Sequence, residues 1–255
     1  ALVEAGFTVK GSTTSPEKLS RIAERGIDPF LLSVGSEIEG RSIDEFFHSD
    51  LLILDIPPGR GTSKVEERFP AQVRLIGERA RRAGVQYLLF VSSTGVYGGA
   101  PGIRTEADRP APDRPAGKAL LAAEDWLRDN FGSALTILRP GGLAGGDRQP
   151  GRWLAGRKDL SGASEPVNLI HRADVIGIIL EVIRQERWGN LYNLVADVHP
   201  TRKAFYTAQA RRLGLEPPTF QEEPARGGKL ILNEKVKEEL GYRFRYPDPD
   251  GFGQG

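Results

Sequence analysis

Apolar and polar residues follow two rhythms along this chain, and the rhythms change places at clusters of Gly, Pro and Ser. Residues 50–56 (DLLILDI) form a nearly continuous apolar run that stops at Pro57-Pro58-Gly59. Residues 85–91 form a second run, ending in Ser92-Ser93-Thr94. Residues 134–138 form a third, ending in Arg139-Pro140-Gly141-Gly142. Such runs suit strands buried on both faces of a parallel sheet. Shorter strands are predicted at 7–10 and 29–32. Helical periodicity fills the gaps. Residues 1–5 read as the end of a helix, stopped by Gly6 as a C-cap would stop it. Pro16 opens a helix to about Arg25, with Ser15 as its N-cap. Residues 64–83 form a long amphipathic helix whose exposed face carries Arg74, Arg79, Arg81 and Arg82, and residues 116–130 form another.

Strands that alternate with helices through short loops predict a parallel, doubly wound α/β sheet with right-handed crossovers. A Rossmann-type domain over residues 1–145 satisfies this order, and a flavodoxin-like one competes with it. Beyond Gly145 the pattern loosens. Helices are predicted at 172–185, 202–213 and 233–240, separated by Gly/Pro-rich loops. This is a smaller C-terminal substrate lobe over 146–255, with 166–198 returning to the sheet. The first strand of a Rossmann sheet and its glycine-rich loop are absent from the chain as given, so a strand, loop and half-helix are expected ahead of Ala1.

Composition narrows the function classes. The 255 residues are 39% hydrophobic and 27% charged, and 35 basic against 34 acidic residues leave a formal charge of +1. That balance gives no electrostatic case for nucleic acid or an anionic membrane surface. No apolar run approaches the ~20 residues that span a bilayer. Cysteine is absent and only three His occur. Disulfides and thiolate chemistry are therefore excluded, no metal site is expected, and a cytoplasmic location fits.

Several segments carry chemistry. Gly11-Ser12-Thr13-Thr14 ends the second predicted strand of the domain, where NAD enzymes usually place an acid to hold the ribose 2′-hydroxyl. None of these four residues is acidic. The hydroxyls of Ser12, Thr13 and Thr14, with Lys18 a turn later, suit a 2′-phosphate instead, so NADP is favoured over NAD. The segment Phe90-Val91-Ser92-Ser93-Thr94-Gly95-Val96-Tyr97-Gly98 joins a buried strand to a Ser-rich turn. With Ile56-Pro57-Pro58, Leu138-Arg139-Pro140-Gly141-Gly142-Leu143-Ala144-Gly145 and Asn168-Leu169-Ile170-His171-Arg172-Ala173-Asp174, it resembles the NAD-dependent epimerase/dehydratase family of extended short-chain dehydrogenases. The likeness continues through Tyr192-Asn193-Leu194 and Glu239-Leu240-Gly241-Tyr242, so it covers nearly the whole chain.

The resemblance implies roles. Ser93 would contact the substrate oxygen at the reacting centre and stabilise developing charge there. Ile56, Pro57 and Pro58 would pass the adenosine half of the cofactor. Ser92, Pro140, Gly141, Gly142 and Leu143 would line its nicotinamide side. His171 and Asp174 read as structural, linking loop to helix and suiting the helix dipole. Glu106 reads as a solvated loop acid. The family's proton transfer uses Tyr-x-x-x-Lys. Lys118 is a candidate for that Lys, but Arg114 stands four residues before it, and no tyrosine lies between Tyr97 and Tyr192. Aligning on Glu124 instead places Ala116 and Leu120 at the two positions. Tyr97 is the only substitute phenol nearby. The expected function is an NADP-dependent oxidoreductase or epimerase on a sugar-like or small hydroxylated substrate. A catalytically inert NADP(H)-binding sensor or protein-interaction module is the alternative. A homodimer through the two long helices is what the resemblance implies for assembly.

Overall fold

A computed structural model describes residues 1–59, 64–222, 224 and 227–252. In chain order the elements are β1 (Lys10–Thr13), α1 (Leu19–Ala23), β2 (Asp28–Val34), β3 (Ile38–Gly40), α2 (Ile43–Phe47), β4 (Leu51–Leu54), α3 (Val65–Arg82) and β5 (Tyr87–Val91). Then follow β6 (Gly102–Arg104), α4 (Pro115–Phe131), β7 (Leu135–Pro140), β8 (Gly142–Ala144), α5 (Gly151–Leu154) and β9 (Leu169–His171). The chain closes with α6 (Arg172–Arg184), β10 (Leu191–Leu194), α7 (Arg202–Arg212), β11 (Lys229–Ile231) and α8 (Glu234–Leu240). The fold is a Rossmann-like α/β arrangement with parallel sheets, as the alternation of rhythms predicts.

Contacts divide the chain into two compact units. The first comprises Ala1–Val91, Lys118–Ile137 and Trp188–Asn190. The second comprises Ser92–Gly117, Leu138–Arg187 and Leu191–Gly255.

In the first unit, β1 and β2 pair in parallel and β3 adds antiparallel to β2. β4 and β5 pair in parallel with Leu51 opposite Tyr87, and the start of β7 lies beyond β5. A doubly wound sheet would carry its first strand between β1 and β4. Here β1 ends one sheet and β4 ends the other. The edge position explains a departure from expectation. Leu51, Leu52 and Ile53 are only half-buried and Leu54 alone is buried, although the run reads as buried on both faces.

The helix α3 shows how the pattern becomes packing. Its buried residues Val65, Phe69, Val73, Ile76, Gly77 and Ala80 recur at helical spacing and form one stripe. Gly77 has no side chain because the Trp126 ring occupies that space: a Cβ there would lie 2.4 Å from a ring carbon. The Arg74 and Arg82 expected on the basic face both pair with Glu78 of the same helix, so that face is partly neutralised.

In the second unit, the end of β7 neighbours β10. Two small parallel pairs, β8 with β9 and β6 with β11, complete the strands. Ala144, Val167, Leu169, Ala196, Phe205 and Phe252 form a core cluster, with Tyr206 and Tyr246 packed on it. Asp174 is fully buried at the start of α6. Its carboxylate accepts from the Tyr242 hydroxyl (3.0 Å) and from the Arg245 and Tyr246 amides (2.7 and 3.1 Å). It ties the C-terminal segment to α6, a stronger role than interaction with the helix dipole. His171 caps that helix: its Nδ1 accepts from the Ala173 amide at 3.2 Å.

Among the described residues no helix is long and apolar enough to cross a membrane, and no cluster of His, Cys, Asp and Glu forms a metal site.

Candidate functional site

The first unit carries the residues expected at the adenosine end of a cofactor. Ser12 and Thr14 are exposed, at the end of β1 and just after it, and Thr13 is half-buried. The helix start differs from expectation. Ser15 makes no side-chain cap, and the Thr13 hydroxyl oxygen accepts from the Ser15 amide at 3.1 Å instead. A single 3-10 turn, Pro16–Lys18, precedes α1, and it leaves Lys18 exposed at its end. The hydroxyls and the solvent-facing ammonium are hydrogen-bond donors at the surface. Ile56, Pro57 and Pro58 follow β4 outside any helix or strand, and the Pro58 carbonyl accepts from Arg68 of α3 at 3.2 Å. A groove of about 670 Å³ runs along β2, lined by Phe30, Leu32 and Arg41, with Thr14 also on its wall. Lys118 also belongs to this unit. Its ammonium lies half-exposed in α4, 4.0 Å from the Glu66 carboxylate at the start of α3.

The second unit carries the residues expected around a substrate. Ser92 is buried, and its amide donates to the Leu138 carbonyl at 2.7 Å. Ser93 follows in extended conformation, φ −162° and ψ 150°, as the cap of a single 3-10 turn, Thr94–Tyr97. Its Oγ accepts from the Gly95 amide at 3.1 Å. A hydroxyl that accepts in this way keeps its own proton to donate. The turn is closely covered. A Cβ on Gly117 would lie 2.8 Å from the Gly95 carbonyl, and one on Gly98 would lie 2.3 Å from the Ala111 carbonyl.

Four residues on from Ser93, Tyr97 is buried, with a relative exposure of 1%. Its hydroxyl donates to Asn193 Oδ1 at 2.9 Å and accepts from the guanidinium of Arg139 at 2.8 Å. The guanidinium also stacks 4.8 Å above the ring. Burial raises the phenol's pKa, against the opposing pull of Arg139. Glu106 is half-buried and accepts from the Asn193 amide at 2.7 Å. It is therefore not a freely solvated acid, and burial raises its pKa although the Asn193 amide opposes the shift. One network thus joins Glu106, Asn193, Tyr97 and Arg139. Sequence spacing could not show it, because its members come from four separate segments.

The segment after β7 is held by its own backbone amides. The Gly141 amide donates to the Leu194 carbonyl (2.9 Å), and the Gly142 amide to the Asn168 carbonyl (2.8 Å). Pro140 has no amide hydrogen. These donors are committed inside the protein. Gly141 is required by close approach, since a Cβ would meet the Asn168 carbonyl at 2.5 Å. Leu143 sits in β8 opposite Ile170.

These observations place a donor-rich β1 end in one unit and a Ser-led turn in the other, on a parallel α/β frame. Residues 1–186 match the family described as NAD(P)H-binding. The chain belongs to that family. Protein YeeZ of Escherichia coli (strain K12) is 35% identical over 98% of this chain and 91% of its own length. Among solved structures, the UDP-glucose 4-epimerase of Thermotoga maritima with UDP-glucose superimposes with a TM-score of 0.74 at 17% identity, covering 96% of this chain and 88% of that one. RMD from Pseudomonas aeruginosa complexed with NADPH gives 0.62 at 18% identity, covering 77% and 76%. The chain thus shares its fold with an epimerase and, at a TM-score of 0.76 and 17% identity, with the dTDP-glucose 4,6-dehydratase DesIV of Streptomyces venezuelae. NAD(P) binding is the property the family shares.

Proposed function

We propose that this protein is an NADP(H)-dependent oxidoreductase or epimerase acting on a small hydroxylated substrate, with Ser93 as the residue that holds the substrate oxygen. The observation that carries the reading is the state of the Ser93 hydroxyl. Its oxygen is fixed by the Gly95 amide while its proton has no acceptor among the described residues. A positioned donor of this kind stabilises negative charge as it develops on an oxygen. When bound, the nicotinamide supplies the hydride acceptor or donor. Tyr97 serves here as a buried post rather than a proton donor, because its proton is held by Asn193 and burial opposes its ionisation. Lys118 is assigned to the first unit's surface pair with Glu66.

Within the first unit, Ser12, Thr13, Thr14 and Lys18 are proposed to hold the 2′-phosphate that distinguishes NADP from NAD. RMD, which superimposes on this chain, is complexed with NADPH, and that supports the reading. Lys18→Gln should weaken NADP(H) by about three- to fivefold, the scale of an exposed charge contact, and leave NAD(H) unchanged. Equal loss for all four nucleotides in calorimetric titration would remove Lys18 from the phosphate site.

The absence of a tyrosine ahead of Lys118 favours a second reading, a dinucleotide-binding module without chemistry. A screen of hydroxylated compounds with NADP and NADPH, run beside Ser93→Ala, separates the two. Turnover that falls by about 100-fold or more in Ser93→Ala supports the enzyme. Turnover that Ser93→Ala does not change contradicts the role given to Ser93.

A further inference from the structure

Lys229 lies far along the sequence from Ser93, yet the fold brings it to the same turn. β11 pairs in parallel with β6, with Lys229 opposite Gly102 and Ile231 opposite Arg104. Paired residues on neighbouring strands point to the same face, and so do alternate residues of one strand. Lys229 and Arg104 therefore share a face. The residue opposite Lys229 is a glycine, and the Arg104 guanidinium takes the space a side chain would fill there: a Cβ on Gly102 would lie 3.0 Å from it. Its half-buried ammonium donates to the Thr94 carbonyl at 2.9 Å, one residue beyond Ser93. An ammonium has three N–H donors, and Thr94 takes one; no other partner exists among the described residues.

The charges around it are unbalanced. Arg104 acts on Lys229 from the shared face. Its guanidinium is held toward loop carbonyls, 2.8 Å from Ile103 and 3.3 Å from Pro101. Arg114 comes from the segment that covers the Ser93 turn, where Ala111 abuts Gly98 and Gly117 abuts Gly95. Among the described residues the acid acting on Lys229 is Asp113, whose carboxylate also accepts from the Gly99 amide at 3.1 Å. Among the described residues, Lys229, Arg104 and Arg114 thus stand against Asp113. Burial lowers the lysine's pKa, and Asp113 only partly restores it. The two N–H donors that Thr94 does not take can donate to an anionic oxygen in exchange for solvent, and a charged hydrogen bond of that kind is among the stronger ones.

We propose that Lys229 is the cation by which this unit recognises its substrate, and that the substrate is a hydroxylated compound carrying a carboxylate or a phosphate. The anionic oxygens take the two remaining donors of Lys229 while Ser93 holds the reacting oxygen. The inference rests on the reading of Ser93 given above and adds a substrate class to it.

The test uses the full chain and three probes, D-glucuronate, D-glucose 6-phosphate and D-glucose, titrated by calorimetry in the absence of nucleotide. At least one of the two anions is expected to bind about tenfold or more tightly than glucose. Lys229→Gln should remove that preference, a loss of about 10–100-fold for a charged hydrogen bond. Lys229→Arg should retain most of it. Which anion prevails tells a carboxylate substrate from a phosphate one. Arg104→Gln, which leaves the Thr94 contact in place, should reduce the preference less, and it serves if Lys229→Gln fails to fold. Equal binding of all three probes, or a preference that Lys229→Gln leaves intact, overturns the proposal. NADPH titrated into the same samples keeps the two readings apart. Nucleotide binding without an anion preference sinks the substrate class alone. An anion preference without nucleotide binding sinks the cofactor reading and leaves Lys229 standing.

Discussion

Ser93 and Tyr97 stand four residues apart and use their hydroxyls in opposite ways. Ser93 accepts from a neighbouring amide and keeps its proton; Tyr97 gives its proton to Asn193 and is closed in by Arg139. Ser93→Ala should therefore lower melting temperature little, because it removes one exposed cap worth about 1 kcal/mol, while lowering turnover by about 100-fold or more. Tyr97→Phe should do the reverse. It removes the buried hydrogen bonds that the hydroxyl makes with Arg139 and Asn193, at about 1–3 kcal/mol, with activity lost only in proportion to folded protein. Glu106 gives a pH test. Burial raises its pKa in the folded state, so the fold favours the protonated form. That stability is present below the unfolded value and is lost as pH rises through the folded one. Measured against Glu106→Gln, the wild-type melting temperature should fall as pH rises from the acidic side toward neutrality. A constant difference would contradict it. At this scale the Ser-Ser-Thr turn was legible, because its residues are contiguous. The Glu106–Asn193 contact and the Lys229–Thr94 contact were not, because each depends on a strand register that no local pattern encodes.

At the scale of elements, length decided what the chain revealed. The long helices α3 and α4 and the strands β4, β5 and β7 each display a full period or an unbroken apolar run. β3 and α2 were missed: three and five residues are too few for periodicity. β3 also depends on Gly40, at φ 151° and pressed against the Leu31 carbonyl. Gly77 offers a direct test of helix packing. Alanine is a better helix former by about 1 kcal/mol, but a methyl would strike the Trp126 ring at 2.4 Å. Overpacking typically costs about 1–3 kcal/mol, so Gly77→Ala should be net destabilising, measured as a lower denaturant midpoint. An increase would show that the ring yields. Asp174 tests the link between α6 and the C-terminal segment. Asp174→Asn sets a side-chain donor against amides that need an acceptor, at about 3 kcal/mol. That is roughly a 6–12 °C fall in melting temperature for a chain of this size.

At the scale of the whole chain, a near-neutral charge and the absence of cysteine excluded more than they identified. Identification came from the order of the motifs, and each motif has a physical place in its own unit. The β1 end offers hydroxyls and a lysine at a surface. The turn after β5 offers a serine with a free proton. Neither would identify a cofactor alone, and the family match supplies what they lack. The account stands or falls on the nucleotide. Calorimetric titration of the protein with NADPH, NADP, NADH and NAD measures it directly. Tight binding with a clear preference for the two phosphorylated forms, reduced by Lys18→Gln, is the result expected. Binding of none of the four would contradict the claim that this chain is a working dinucleotide-binding protein.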